Sequence, residues 1–257
     1  MEPQVFILHG DDGFSMAREV DSWVEALGDA TMADLNTTRL DGRALNDKEL
    51  RNAADAMPFL TSYRLVILSA PLARLTAESA RVRFVAVLDH LSPTTHLVLA
   101  IDDRKGRKGD WEVLKSGHWL LQWAAKNPEK AQVTTFSLPD AREMPAWIIK
   151  EGDRQMQALE AEKRVKFNAR FSLPAANELF KHVGCDTQVA AEEISKLLTY
   201  ANYRRTVERD DVLELVAQTG QGDVFGLVDA LGTRKAPRRC ASSPCCSRNK
   251  TRFRCWE

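Results

Sequence analysis

The stretch VFILHGDDGFS, residues 5–15, decides how the first half of the chain is read. An apolar run, Val5 to Leu8, ends at Gly10 and leads into a helix-like pattern. This is the layout of a phosphate-binding loop: a strand, a glycine turn, then a helix whose first amides face an anion. The working motif is G-x-x-x-x-G-K-[ST]. Counted from Gly10, its second glycine falls on Ser15, its lysine on Met16 and its hydroxyl on Ala17. Asp11 and Asp12 stand where a cation is needed and would repel a triphosphate. The scaffold of a nucleotide site is present and its chemistry is missing.

Working outward, short apolar runs recur at TTRLDG near residue 38, RLVILS at 64–69, HLVLAI at 96–101 and VTTFSL at 133–138. Their length and β-branched content suit buried parallel strands. Helical patterns lie between them near 15–27, 46–56, 77–91 and 110–125. The second opens with Asn46 and carries Glu49 three residues on, the signature of a capping box. Strands alternating with helices at these spacings predict a doubly wound parallel sheet covered by helices, an α/β class.

From Asp140 onward the pattern is helical only, through PDAREMPAWIIKEGDRQMQALE, SLPAANELFKHVG, DTQVAAEEISKLLTYA, ERDDVLELVAQ and VFGLVDALG. Ser172 followed by Pro174 marks a helix start and Gly184 a stop. A small all-α domain is expected there, with no repeat of solenoid length.

Composition bounds the function. The 257 residues are 44% hydrophobic and 28% charged, with 36 basic and 36 acidic side chains. No run reaches the roughly 18 to 20 apolar residues of a membrane span, and no signal peptide is visible, so a cytoplasmic protein is expected. The balance is uneven along the chain. From Gly232 to the end there are eight Lys or Arg and one acidic residue, net +7, which leaves the body at −7. An acidic body argues against broad charge-driven binding of nucleic acid.

Candidate chemistry is sparse. Asp11 with Asp12 could hold Mg²⁺ in a phospho-acceptor site, but RLVILS ends in Ser69 where that site needs an aspartate. Surface acids near a helix N-terminus are the plainer reading. LVLAIDD ends in Asp102 and Asp103 as hydrolase strands do, yet without a lysine in the first loop Asp103 reads as a solvated turn. RKGRKGD places Arg104, Lys105, Arg107 and Lys108 in a compact basic patch, either a phosphate contact or solvated surface. His9, His90, His96, His118 and His182 have no neighbouring nucleophile motif, so no catalytic set is expected. The tail cysteines Cys240, Cys245, Cys246 and Cys255 lack the paired spacing of a zinc site. Neither a cofactor nor a metal is expected. In AADAMPFLTSYRLVILS, a helix ends at Met57–Pro58 and the apolar pair Phe59–Leu60 precedes the central strand. Core packing and an exposed apolar anchor for a partner are both open readings.

Taken together, VFILHGDDGF, TTRLDG, AMPFLTSYRLVILSAPLARL, HLVLAIDDRKGRKG, VGCDTQVAAEEISKLLTYA and TVERDDVLELVAQ–DVFGLVDAL resemble, in order, the delta-subunit family of the bacterial DNA polymerase III clamp loader. The resemblance runs from about Val5 to Leu231. It implies an AAA+-like domain that has lost its phosphate loop (1–139), a helical lid (140–205) and the start of a helical collar (206–232). It implies a non-catalytic subunit of a DNA-directed DNA polymerase holoenzyme, acting in replication. Met57, Pro58, Phe59 and Leu60 would be the clamp-binding wedge that helps open the sliding clamp (beta). The family's common order there is Leu then Phe, against Phe then Leu here. Implied partners are the clamp, the delta-prime and gamma/tau loader subunits, and DNA through the complex, with no membrane. The related delta-prime family carries a zinc-binding cysteine cluster in its first domain, whereas residues 1–184 hold no cysteine. Alternatives are a true nucleotide-dependent AAA+ ATPase and a generic helical adaptor.

The tail, 233–257, departs from the family's amphipathic collar helix. Plausible codons for RNKTRFRCWE, read from each third base, encode Glu-Gln-Asp-Pro-Val-Ser-Val-Leu-Gly, which resembles the collar's E-Q-D-P segment. Cys245–Cys246 gives leucine in the same shifted frame whichever cysteine codons are used. The expectation is a frameshift product from about residue 233, disordered and without zinc.

Overall fold

The structure is a computed structural model; it describes residues 4–216 apart from 45, 107, 108, 165 and 167. Expectations about the tail and the later part of the collar lie outside the described residues. The chain divides into two compact units, Met1–Leu138 and Pro139–Glu257.

Five parallel strands form the centre of the first unit: β1 (Val5–Gly10), β2 (Thr37–Asp41), β3 (Arg64–Ser69), β4 (Thr95–Asp102) and β5 (Ala131–Phe136). Their order is β2-β3-β4-β1-β5, with Val5 beside Leu97 on one flank and Ala131 on the other. Crossovers step from the β2 edge inward to β4, and the next strand is laid beyond β1. β1 is therefore the point where the winding reverses, and its C-terminal end opens on the crevice where doubly wound sheets bind ligands.

Alternation along each strand divides the sheet between two cores. Ile7, Val66, Leu68, Leu97 and Leu99 face Leu50 of α3 (Asp47–Asp55), Phe84 and Leu88 of α4 (Glu78–Asp89), and Leu120 of α5 (Trp119–Lys126). Leu8, Leu65, Ile67 and Val98 face Met16 and Val20 of α1 (Gly13–Glu25) and Ala33 of α2 (Ala30–Asn36). Strands buried on both faces explain the unbroken apolar runs. The Asn46 capping box forms, with Asn46 Oδ1 accepting from Lys48 and Glu49 and Glu49 returning to the Asn46 amide.

Two elements differ from the sequence reading. α2, capped by the Asp29 carboxylate, was not expected; its seven residues are too few to show a helical period. The helix expected over 110–125 begins only at Trp119. Residues before it are drawn out of helix because Val113 and Leu114 donate their amides to the Asp103 carboxylate, at 2.8 Å each.

The described elements of the second unit are all helical: α6 (Met144–Lys163), α7 (Leu173–Val183), α8 (Thr187–Tyr200) and α9 (Arg209–Leu215). Ser172 caps α7, and Gly184 ends it at φ +64°. Ile148, Leu179, Ile194, Leu197 and Val212 share one core. Gly152 lets α6 close on Phe171, since a Cβ there would stand 2.8 Å from the ring.

Candidate functional site

The segment between α3 and β3 holds apolar side chains in solvent. Met57 is 84% exposed, Phe59 52% and Leu60 79%, with Pro58 half-buried between them. Core packing, one of the two open readings, does not describe these side chains. The backbone beneath them is held. The Phe59 amide donates to Asn36 Oδ1 at 2.6 Å, and Asn36 Nδ2 donates back to the Phe59 carbonyl at 2.9 Å. Arg64 spans the base of the turn, donating to the Met57 carbonyl at 3.4 Å and to Thr38 Oγ1 at 2.7 Å. Thr61 Oγ1 donates to the Tyr63 carbonyl, and the Tyr63 ring stacks on His96 with centroids 4.1 Å apart. Leu60 adopts φ +57°, a left-handed conformation that costs a side chain with a Cβ about 1–2 kcal/mol. The turn is thus held in its backbone while its apolar side chains face solvent.

At the crevice beyond β1, the chain occupies its own anion position. The Asp12 carboxylate, buried, accepts from the Ser15 amide at 3.1 Å and caps α1. The Asp11 carboxylate accepts from the Leu138 amide at 2.8 Å. A Cβ on Gly10, at φ +146°, would stand 1.8 Å from the Phe136 carbonyl oxygen, so β5 closes tightly over the loop. A phosphate brought here would meet Asp12 at the helix end and no lysine. These aspartates bind backbone amides; they are not loose surface acids.

Asp103 corrects a second reading. Far from lying in a solvated turn, it is 2% exposed. It accepts from the amides of Arg104, Val113 and Leu114 and so ties down both ends of the loop between β4 and α5. His9 Nδ1 lies 3.8 Å from Asp103 Oδ2, and His9 Nε2 is 3.0 Å from Thr135 Oγ1. Burial pushes the His9 pKa down, with the Asp103 charge opposing. His118 is also lowered, by burial and then Arg81, against Asp103. Among the described residues no group of three or more His, Cys, Asp or Glu could hold a metal ion.

A family model described as "DNA polymerase III, delta subunit" matches residues 6–118, from β1 to the threshold of α5. Over those residues the chain is similar to the DNA polymerase III delta-subunit family. No curated protein sequence matches the chain. Among solved structures, a DNA clamp loader delta protein of Bacillus subtilis superposes with a TM-score of 0.67 at 20% identity, over 92% of this chain and 65% of that one. The chain thus spans 65% of the length of that protein, and the likeness is one of fold. A RuvB protein of Thermotoga maritima reaches a TM-score of 0.42 at 11% identity, covering 82% of this chain and 60% of its own. A gamma subunit-related protein of DNA polymerase III from the same organism reaches 0.34 at 17% identity, over 89% and 72%.

Within the first unit, Arg104 and Lys105 are exposed, with Lys105 Nζ 5.3 Å from the centroid of the Trp111 ring. Arg107 and Lys108 lie outside the described residues. The basic pair and the wedge sit on different loops, one after β4 and one before β3. Sequence reasoning missed Asn36. Its signal was weak: one asparagine directly before a strand, 23 residues from the backbone it holds. No described helix is long and apolar enough to cross a membrane.

Proposed function

We propose that this chain serves as the delta-type subunit of a DNA clamp loader, binding a ring-shaped sliding clamp through Met57, Pro58, Phe59 and Leu60 and favouring the open ring. The carrying observation is the exposure of three large apolar side chains on a turn whose backbone is braced from beneath. Exposed apolar groups on an ordered support are the anchors that fill pockets on a partner. Burying a Phe and a Leu contributes about 1.5–3 kcal/mol each. Only the part of that energy gained in the open ring and absent in the closed one drives opening.

In this reading the first unit is an AAA+-like domain without nucleotide chemistry, and ATP binding belongs to partner subunits of the delta-prime and gamma/tau kinds. Within the second unit, residues 140–205 serve as the lid and 206–232 as the start of a collar. DNA is met through the assembled complex, with Arg104 and Lys105 as points of phosphate contact, and the work is done in the cytoplasm. The test is calorimetry of the full chain with the sliding clamp of its own organism. The wild type is expected to bind, and the Phe59→Ala, Leu60→Ala double variant to remain folded and lose binding. Unchanged affinity per folded molecule in the double variant sinks the reading.

A further inference from the structure

The backbone grip on Phe59 carries a consequence of its own. Asn36 is the last residue of α2 and is 0% exposed. Buried side-chain amides are satisfied by hydrogen bonds, and one in this position could meet its needs inside its own helix. Asn36 does so only in part: Nδ2 donates to the Met32 carbonyl at 2.9 Å. Its acceptor and its other donor interaction go to a single residue on a different loop, the N–H and C=O of Phe59. The pattern copies a pair of strand hydrogen bonds, and it falls at the centre of the exposed apolar turn.

We propose that Asn36 is the positioning residue of the wedge: it holds the Phe59 backbone so that Met57, Phe59 and Leu60 are displayed in binding-ready form before a partner arrives. The proposal rests on the clamp-binding reading above. The other brace, Arg64 to the Met57 carbonyl, is exposed and long at 3.4 Å, so the buried grip is the firmer of the two. It also opposes relaxation of the left-handed Leu60 that follows it. Without Asn36 the turn samples other conformations. Apparent affinity then falls by the fraction of molecules that remain competent. That loss appears in the association rate, because the side chains that set the dissociation rate are intact.

Two measurements on the full chain test this. Hydrogen exchange of the wild type should show a protected Phe59 amide despite the exposure of its side chain. In Asn36→Leu, which keeps the branched shape and removes all three hydrogen bonds, that protection should vanish while the Val66 and Leu99 amides keep theirs. Binding to the sliding clamp, per folded molecule, should then lose about tenfold in association rate with dissociation within about twofold. If Asn36→Leu also strips protection from Val66 and Leu99, the wild-type exchange and the smaller Asn36→Ser variant decide. A wild-type Phe59 amide that exchanges freely, or Asn36 variants that associate at the wild-type rate, overturn the role of Asn36 alone. A wild type that does not bind the clamp overturns the reading of the wedge, and this role with it.

Discussion

Asn36 and Phe59 are joined by two hydrogen bonds, of 2.6 Å and 2.9 Å, between a buried side chain and the backbone of an exposed aromatic. The pairing separates two properties that usually travel together. The turn is fixed in its main chain and open in its side chains. Substitutions of those side chains should therefore change what the turn binds far more than how the domain folds.

Leu60 makes this sharp. Its φ of +57° is costly for leucine and well tolerated by asparagine. Leu60→Asn should leave thermal stability unchanged or raise it by a few tenths of a kcal/mol, since the lost side chain is 79% exposed. Clamp affinity should drop at least about tenfold, the loss of one buried apolar anchor. Paired thermal melts and calorimetry read both quantities. A large fall in melting temperature shows instead that Leu60 supports the fold.

Asp12 predicts the fate of the nucleotide crevice. Its carboxylate caps α1 through the Ser15 amide, so Asp12→Ala should cost about 0.5–2 kcal/mol in urea denaturation. It should not create nucleotide affinity, because Met16 occupies the place of the phosphate lysine and Phe136 closes over Gly10. Neither the wild type nor the variant should shift its melting temperature with millimolar Mg²⁺-ATP. A shift of several degrees in the wild type restores the ATPase alternative.

Much of the fold was legible because strands buried on both faces write themselves as apolar runs. RLVILS at 64–69 and the strand starting near Val5 are found where the residues predict them. Capping was equally local, as Asn46 with Glu49 and Ser172 with Gly184 illustrate. What stayed hidden depends on contacts distant in sequence. Asp103 looked like one more charge beside Arg104 and Lys105; its burial follows from amides ten and eleven residues on. Whether Phe59 and Leu60 pack inward or outward was undecidable from periodicity, because the answer lies in Asn36. The short α2 that carries Asn36 has no period to detect.

His9 links pH to the stability of the first unit. Burial holds its folded pKa below the ordinary value of about 6.5. The unfolded chain therefore takes up a proton that the folded chain refuses as pH falls below 6.5. Stability attributable to His9 is full above that value and is lost as pH drops from it toward the lowered folded pKa. His9→Gln, which can still hydrogen-bond Thr135, should flatten the dependence of unfolding free energy on pH just below about 6.5. An unchanged slope in the variant assigns that dependence to other groups.

Glu178 sets the acid limit of the second unit. Its carboxylate accepts from Lys181 Nζ at 2.9 Å and from Arg209 Nε at 2.9 Å, joining α7 to the first turn of α9. His182 Nε2 stands 3.8 Å away on the same helix face. The hydrogen bonds from Lys181 and then Arg209 hold the Glu178 pKa below its ordinary value, against a smaller opposing effect of burial. A depressed carboxylate contributes stability that is complete above the unfolded pKa, about 4.3, and disappears as pH falls through the lower folded value. Both cations are themselves more than half exposed, so the pair with either one is weakened by solvent and salt. Glu178→Gln should therefore destabilise the unit at pH 7 and destabilise it less at pH 3, below the ordinary carboxyl pKa, where the stability due to the charge is being lost. Arg209→Gln should reproduce part of the neutral-pH loss, with Lys181 still in place. Urea unfolding of the three proteins at the two pH values measures this. A Glu178→Gln variant as destabilised at pH 3 as at pH 7 would show that the side chain matters through packing rather than charge.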